Sequence, residues 1–165
     1  MSLTLILMRH AKSSWDDPAL TDFDRPLNAR GKKSAKAIGN WLRDQKYLPD
    51  HILCSSSVRT RETLKGLQLD AGTEFLEGLY HASEDGMLRI LQNHGQGKTA
   101  LMLGHNPGTA FLARRLLRTP PAHPKFSLYP TAATLVARFE EERWQDIDFG
   151  SGTARDFIVP RELTE

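Results

Sequence analysis

The fold of this chain is decided near its beginning, by the stretch LTLILMRH at residues 3–10. Residues 3–8 are a short apolar run of the kind that forms a strand buried inside a sheet. Arg9 and His10 follow this run directly, so two polar side chains stand at the carboxyl end of the predicted strand. Since ligands bind at that end in sheets of parallel strands, we predict a site there.

Strand and helix patterns alternate through the rest of the chain. Apolar residues at helical spacing predict the helices, and short apolar runs predict the strands. The predicted helices cover residues 28–45, 83–93 and 106–117, and a further helix begins at the serines 55–57 and ends near residue 68. The later strands are predicted at 51–54, 74–79, 99–103, 133–139 and 157–160, and a weaker strand signal lies at 144–149. This alternation predicts an α/β fold, a three-layer α/β/α sandwich with a mainly parallel central sheet.

Length and composition are those of one soluble globular domain spanning residues 1–165, with 39% hydrophobic and 25% charged residues. The first apolar run is far shorter than the roughly 20 residues of a membrane span, and no basic region precedes it. We therefore predict neither a membrane anchor nor a secretory signal. The 22 Lys and Arg residues against 20 Asp and Glu residues give no charge excess that predicts nucleic-acid binding. The single cysteine, Cys54, suits a reducing cytoplasm.

Polar side chains follow four of the predicted strands, at the points where those strands end. These residues are Arg9, His10, Arg59, Glu77, His105 and Asn106. Because the carboxyl ends of parallel strands meet at one edge of a sheet, the side chains are expected to collect there. Two arginines and two histidines are up to four cations, and one carboxylate cannot neutralise them all, so a further counterion is needed. The sequence therefore predicts that a compact dianion, such as a phosphoryl group, is the ligand.

The residue types at these strand ends suit phosphoryl chemistry. Arginine clamps phosphate oxygens with its planar fork of donors. Asn106 is predicted to cap a helix whose first residue is Pro107, and the start of that helix would aim backbone N–H groups at the same anion. A neutral imidazole can attack phosphorus and form a covalent intermediate, while a second, protonated imidazole stabilises the moving charge. Glu77 could donate a proton to the leaving group, a role for which partial burial would be needed.

Four segments resemble the histidine phosphatase superfamily, which has the phosphoglycerate mutase-like fold. They are LMRHA at 7–11, DRPLNARG at 24–31, SSSVRTRET at 55–63 and LGHNP at 103–107. In LMRHA an alanine replaces the usual glycine of the family. The segment DRPLNARG is similar to the SixA-type phosphohistidine phosphatase branch. The resemblance implies that His10 is the nucleophile and that Arg9, Arg59 and His105 complete the phosphate pocket. It also implies a phosphate or substrate contact for Arg25, which could instead pair with Asp22 or Asp24.

The resemblance implies a phosphatase that works through a covalent phosphohistidine on the enzyme. The chain has little room for the insertions that close over small metabolites in larger mutases of this fold. We therefore expect phosphohistidine on a protein, such as a phosphotransfer domain, as substrate. A phosphomonoesterase acting on a small phosphorylated metabolite is one alternative. A phosphate- or partner-binding domain without activity is an alternative of another class.

Cys54 raises the possibility of another enzyme class, since cysteine phosphatases need an arginine after five intervening residues. Here Thr60 holds that position, and arginines stand at 59 and 61 instead, so the spacing favours a buried structural cysteine. The chain has no glycine-rich phosphate loop and no metal-ligand spacing of histidines, so neither a cofactor nor a metal is predicted.

Two features remain open at this stage. The stretch 119–130 carries four prolines and cannot be regular helix, so it is either a border of the site or an ordinary surface loop. Among the other histidines, His81 is the one that could lie near the rim of the site.

Overall fold

The computed structural model describes residues 2–165, which form one six-stranded sheet and five α-helices. In chain order the elements are β1 (Leu3–Arg9), α1 (Ala29–Asp44), β2 (His51–Ser55), α2 (Val58–Leu67), β3 (Gly72–Leu76), α3 (Glu84–His94), β4 (Thr99–Gly104), α4 (Gly108–Leu116), β5 (Thr134–Phe139), β6 (Thr153–Ile158) and α5 (Arg161–Thr164). Short 3₁₀ helices lie at Asp22–Asp24, Glu77–Leu79 and Trp144–Asp146. No helix within residues 2–165 is long and apolar enough to cross a membrane.

The strand order places the ends of β1 and β4 side by side. The sheet runs β3-β2-β4-β1-β5-β6; β1 to β4 are mutually parallel, and β5 pairs antiparallel with both β1 and β6. From β1 the chain crosses to β2 on one side, and from β4 it crosses to β5 on the other. The carboxyl ends of β1 and β4 therefore form the switch point at which open α/β sheets bind ligands.

Helices cover both faces of this sheet, as the α/β/α prediction requires. Side chains alternate across β1, so Leu5 and Leu7 pack in the cluster that includes α3 and α4. Ile6 and Met8 pack in the opposite cluster, with apolar residues of α1 and α2. The burial of β1 on both faces explains why its sequence is a continuous apolar run. The three-layer sandwich with a mainly parallel sheet is thus confirmed.

Three strand predictions need correction. The segment predicted as a strand at 74–79 contributes only its first residues to β3, which begins at Gly72 and turns into the 3₁₀ helix Glu77–Leu79. The weak strand signal at 144–149 is wrong, because Trp144 begins a 3₁₀ helix and its Nε1–H donates to the Gly97 carbonyl at 2.8 Å. The last strand also begins earlier than predicted, because polar residues alternate along β6 and hide the pattern.

The proline-rich segment 119–130 borders the site rather than forming a detached surface loop. Tyr129, near its end, is fully buried. The Tyr129 hydroxyl donates to the Leu7 carbonyl of β1 at 2.5 Å and accepts from the Leu135 N–H of β5 at 3.1 Å. The Tyr129 carbonyl in turn accepts from Arg9 and from Asn106. This segment is therefore fixed against the strands whose ends carry the candidate site.

Candidate active site

The register of β1 and β4 brings the two candidate histidines together. Arg9 lies opposite Gly104, and the His10 backbone N–H donates to the Gly104 carbonyl at 3.0 Å. The residues that follow these strands are therefore neighbours. The ring centroids of His10 and His105 are 5.2 Å apart, and both side chains are buried.

His10 presents its Nε2 atom to the site in an unprotonated form. Its Nδ1–H donates to the Ala11 carbonyl at 2.7 Å, which fixes the tautomer and leaves the lone pair on Nε2. The pKa of His10 is lowered to about 3, chiefly by burial and also by the nearby guanidinium groups of Arg59, Arg9 and Arg25, against the raising effect of the Ala11 carbonyl. At neutral pH the ring is therefore neutral, as a nucleophile must be.

Arg59 joins the two histidine rings. It stands in the first turn of α2, where the Ser57 side chain caps the helix by accepting from the Thr60 N–H. The buried Arg59 side chain directs Nε–H at His10 Nε2 (3.4 Å) and Nη2–H at His105 Nδ1 (3.3 Å). A tetrahedral anion bound between the rings would therefore meet this planar fork of donors.

His105 is held in the complementary tautomer. Its Nδ1 accepts from Arg59, and its Nε2–H donates to the Ser55 hydroxyl at 2.7 Å. The pKa of His105 is lowered to about 3, chiefly by burial and also by electrostatic interactions with His10, Arg59 and His81, against the raising effect of Asp22. The protein's own groups thus favour a neutral His105. Because an adjacent dianion raises the pKa of an imidazole, the protonated His105 expected from the sequence depends on the bound phosphoryl group.

Arg9 carries a donor that is buried without a partner in the protein. Its Nη1–H donates to the Tyr129 carbonyl at 3.2 Å, whereas its Nε finds no acceptor among residues 2–165. Burial and the neighbouring Arg59 lower the pKa of Arg9. Buried donors in proteins are nearly always paired, so the free Nε marks a place for an acceptor from outside the chain, such as a phosphoryl oxygen.

Asp22 is a member of the site that the sequence analysis considered only as a partner for Arg25. Its carboxylate accepts from Arg59 Nη2 (3.0 Å) and the Tyr80 hydroxyl (2.5 Å), and its backbone carbonyl accepts from Arg59 Nη1 (2.6 Å). Burial alone would raise the pKa of Asp22, but hydrogen bonds from Tyr80, Arg59 and Arg25 hold it well below the usual range. Asp22 is therefore ionised and fixes the plane of the Arg59 guanidinium.

Arg25 pairs with Asp22, which was one of the two readings that the sequence left open. Its Nε and Nη2 donate to Asp22 Oδ1 at 3.3 and 3.1 Å, and its Nη1 donates to the Ser13 hydroxyl at 2.7 Å. Its guanidinium carbon lies 3.5 Å from the ring centroid of Trp15. Arg25 is near enough to His10 to lower the pKa of that ring. A direct substrate contact by Arg25 stays a prediction.

The Asn106 side chain does not cap α4, so that part of the sequence analysis is wrong. Helix α4 begins at Gly108, and no side chain caps it. The Asn106 Nδ2 group donates instead to the Leu128 and Tyr129 carbonyls, at 3.3 and 3.0 Å. The contact with the 119–130 segment takes up the amide donor. A phosphate contact by Asn106 therefore stays a prediction, and the side-chain cap assumed for it is absent.

Glu77 stands apart from the contacts that join the other site residues. It is exposed at the start of a 3₁₀ helix, and its carboxylate forms no hydrogen bond or ion pair with any residue in the range 2–165. The partial burial that the sequence argument required of a proton donor is missing. A general-acid role for Glu77 stays a prediction without geometric support.

Two smaller expectations concern residues beside the histidines. His81 does lie at the rim, with its ring centroid 6.2 Å from that of His105 and its Nε2 3.7 Å from the Asp22 carboxylate. Ala11, which stands where the family has glycine, packs its methyl group in the apolar cluster shared with α1. The extra methyl is therefore part of the core.

Replacing Asp22 by asparagine should lower kcat about tenfold, because the Arg59 guanidinium loses a charged partner that orients it. The inhibition constant of inorganic phosphate should not rise, since the pocket loses a negative charge. The measurement is steady-state hydrolysis with phosphate as inhibitor. Asp24→Asn is the matched control, because Asp24 bonds only to the Thr21 hydroxyl in the same turn. An unchanged kcat in the Asp22 variant would show that Arg59 needs no such support.

Cys54 is a structural residue in this geometry. Its side chain is fully buried, and burial raises the pKa of the thiol to about 12. Since the thiolate is the nucleophilic form, it is absent at neutral pH. We expect Cys54→Ser to keep kcat/KM within about threefold of the parent protein. A variant that remains folded by circular dichroism and yet has no activity would make Cys54 the nucleophile.

The fold and the paired histidines together define a class of protein. They are typical of α/β phosphatases that act through histidine. The model of the histidine phosphatase superfamily (branch 1) matches residues 5–80. Phosphohistidine phosphatase SixA of Escherichia coli K12 is 30% identical over 171 residues, which cover 98% of this chain and 96% of that protein. The chain therefore belongs to the histidine phosphatase superfamily.

Solved structures place the chain in the SixA-like branch of that family. A structure assigned to SixA from Nakamurella multipartitia aligns with a TM-score of 0.84 at 27% identity and covers 97% of each chain. The protein histidine phosphatase SixA complexed with tungstate aligns with a TM-score of 0.78 at 25% identity, over 98% of this chain and 100% of that one. The phosphoglycerate mutase-like fold is confirmed by these alignments, and the family supports a phosphatase.

Proposed function

We propose that this protein hydrolyses phosphohistidine on other proteins through a covalent phosphohistidine at its own His10. The observation that supports this most directly is the hydrogen bond from His10 Nδ1–H to the Ala11 carbonyl, which leaves Nε2 unprotonated and facing Arg59. That atom lies 3.4 Å from Arg59 Nε, at the point where a phosphoryl group would be clamped. The pocket thus offers a nucleophile and donors for the anion at one place.

The first step transfers the phosphoryl group to the enzyme. The lone pair of His10 Nε2 forms a bond to phosphorus while the bond from phosphorus to the leaving group breaks, and the leaving nitrogen takes up a proton from solvent water. Arg9, Arg59 and a protonated His105 bind the three equatorial oxygens, on which the charge is concentrated. The fixed Asp22–Arg59 pair holds the donors in position before the substrate arrives.

The second step returns the enzyme to its starting state. Water attacks phosphorus, the bond from phosphorus to Nε2 breaks, and inorganic phosphate leaves. The electron pair returns to Nε2, so His10 becomes neutral again, in accord with its lowered pKa. The hydrogen bond from Nδ1–H to the Ala11 carbonyl keeps the His10 ring in the same tautomer through both steps.

A phosphohistidine substrate suits this site, because no carboxylate among residues 2–165 is placed there as a buried proton donor for the leaving group. Glu77 is exposed, and the carboxylate of Asp22 is committed to Arg59 and Tyr80. An alkyl ester needs a strong acid for its leaving oxygen, whereas a phosphoimidazole has a leaving nitrogen that can be protonated more easily. The likeness to a phosphohistidine phosphatase and to a SixA bound to tungstate, a tetrahedral dianion, supports the same assignment.

The test compares two substrates under the same conditions. A protein carrying phosphohistidine and the small ester para-nitrophenyl phosphate are incubated with the enzyme, and phosphate release is measured. We expect kcat/KM to be at least about a hundredfold higher for the phosphoprotein, an effect of about 3 kcal/mol on transition-state binding. The reverse preference would make the protein a small-molecule phosphomonoesterase. Phosphate binding without release from either substrate would make it a binding domain.

Acid should destabilise the folded protein through the two buried histidines. Histidine has a pKa of 6.5 when unperturbed, but His10 and His105 have a pKa of about 3 in the fold. The unfolded chain therefore binds more protons in this interval. The stabilisation is complete above about pH 6.5 and is lost as the pH falls toward 3.

Urea denaturation measures this effect. Between neutral pH and about pH 4, the free energy of unfolding should fall less in His10→Gln than in the parent protein, with a difference on the order of 2 kcal/mol. His105 and Asp22 are present in both proteins, so most of their contribution cancels in the comparison. An equal fall in both would mean that His10 is not held neutral by the fold.

A further inference from the structure

A groove beside the histidines concentrates positive charge. It has a volume of about 810 Å³ and lies between the loop after β1, the first turns of α1, the residues around 125–131, and α5. We call it the basic groove, and the cations that line it are Lys12, Arg30, Lys33, Lys125 and Arg161. It has no lining residue in common with the His10–His105 pocket, but the two are adjacent, since Lys12 follows His10 by two residues.

The charge of this groove stands out against the chain as a whole. The sequence has 22 Lys and Arg residues and 20 Asp and Glu residues, whereas the groove has five cations and one carboxylate, Glu165. Glu165 is paired with Arg161 at 3.0 Å. The side chains of the other four cations form no ion pair or hydrogen bond with any residue from 2 to 165. The groove therefore presents unneutralised charge to a partner.

The walls of the groove favour a polypeptide over a small anion. The buried phosphate pocket fixes its guanidinium forks with hydrogen bonds, but Lys12, Lys33 and Lys125 are exposed lysines on three separate segments. The apolar side chain of Leu128, which is 64% exposed, lines the groove with them. Exposed cations mixed with apolar contacts are typical of a protein interface.

We propose that the basic groove binds an acidic segment of the phosphorylated protein, next to the residue that carries the phosphoryl group. This rests on the proposed function, because it takes the substrate to be a protein. Leu128 and Pro130 in the groove wall flank Tyr129, whose carbonyl accepts from Arg9. A side chain that reaches His10 would therefore place its neighbouring residues over the groove. Asp and Glu residues within a few positions of the phosphohistidine would meet the lysines.

Binding can be tested without catalysis. Two fluorescein-labelled peptides with a central histidine, one flanked by glutamates and the other by glutamines, are titrated with the enzyme and followed by anisotropy. We expect the Glu peptide to bind about tenfold more tightly at low ionic strength, with the difference shrinking as salt is raised. The double variant Lys33→Glu/Lys125→Glu should remove the preference. Lys98→Glu, at the opposite end of the sheet where β4 begins, should keep it.

A kinetic test then uses the same two peptides with the central histidine phosphorylated. The ratio of their kcat/KM values, Glu peptide over Gln peptide, should be about ten in the parent protein and about one in the double variant. Lys33→Gln/Lys125→Gln should give an intermediate ratio, and thermal unfolding checks that each variant is folded. Since binding is measured with unphosphorylated peptides, a failure of the proposed phosphohistidine activity leaves the binding test intact.

Three results would overturn the groove assignment. The first is equal binding of the Glu and Gln peptides to the parent protein. The second is a preference that survives the double variant. The third is tight, Lys33-dependent binding of inorganic tripolyphosphate without binding of the Glu peptide, which would assign the groove to a small polyanion.

Discussion

His10→Ala is expected to lower kcat by about 10⁴-fold or more for every phosphorylated substrate, because the covalent route loses its only nucleophile. His10 fixes its Nδ1–H on the Ala11 carbonyl and turns Nε2 toward the site, whereas His105 has Nε2 bonded to the Ser55 hydroxyl and Nδ1 to Arg59. No other group in the pocket can therefore replace it. Phosphate release from para-nitrophenyl phosphate and from a phosphohistidine protein measures the loss.

The His10 variant needs a control for removing a buried ring. Inorganic phosphate should still bind, because Arg9 and Arg59 remain, and its binding can be followed by calorimetry. His94→Ala is the matched histidine variant, since His94 ends α3 and bonds to Glu74 at the edge strand β3. It should keep activity within about twofold. Substantial turnover by a folded His10→Ala protein would rule out the covalent route described above.

Arg59→Ala is expected to lower kcat/KM by about 10³-fold, an effect of roughly 4 kcal/mol. This side chain contacts His10, His105 and Asp22 at the same time. Its loss removes donors to the phosphoryl oxygens and one of the partners of Asp22, which keeps Tyr80 and Arg25. Arg59→Lys should recover little, because an ammonium group cannot reproduce the planar fork.

Arg61→Ala is the comparison for Arg59, since it removes a guanidinium from the same helix. The Arg61 Nε–H donates to the Ser56 carbonyl, and its guanidinium packs over the Phe75 ring. We expect a change in kcat/KM of less than about fivefold for Arg61→Ala. If Arg59→Ala and Arg61→Ala gave equal losses, Arg59 would have no special role in the pocket.

The sequence predicted the fold because the strands that build it are short, continuous and apolar. The run at residues 3–8 is buried on both faces, so its composition alone indicates a central strand. The rule that parallel strands meet at their carboxyl ends predicts that Arg9, His10 and His105 lie together. Edge strand β6 was harder to predict, because its exposed positions alternate with buried ones.

The contacts that orient the site could not be predicted in the same way. Asp22 lies in a turn with no periodic pattern, and its bonds to Arg59 and Tyr80 join segments far apart in the chain. Asn106 had the sequence signature of a helix cap, but the carbonyls of Leu128 and Tyr129 compete for its amide. Such choices depend on which tertiary partners are near, which local sequence does not contain.

The most direct test of the central claim is to trap the enzyme during turnover and map the phosphate that it carries. The enzyme is mixed with a phosphohistidine protein and quenched rapidly without acid, which preserves phosphorus–nitrogen bonds. Mass spectrometry locates the modified residue, and phosphorus NMR identifies the nitrogen. The account predicts phosphate on His10, bonded to Nε2, the atom left free by the bond to Ala11. Phosphate on another residue, or turnover with no phosphorylated enzyme at any time, would contradict it.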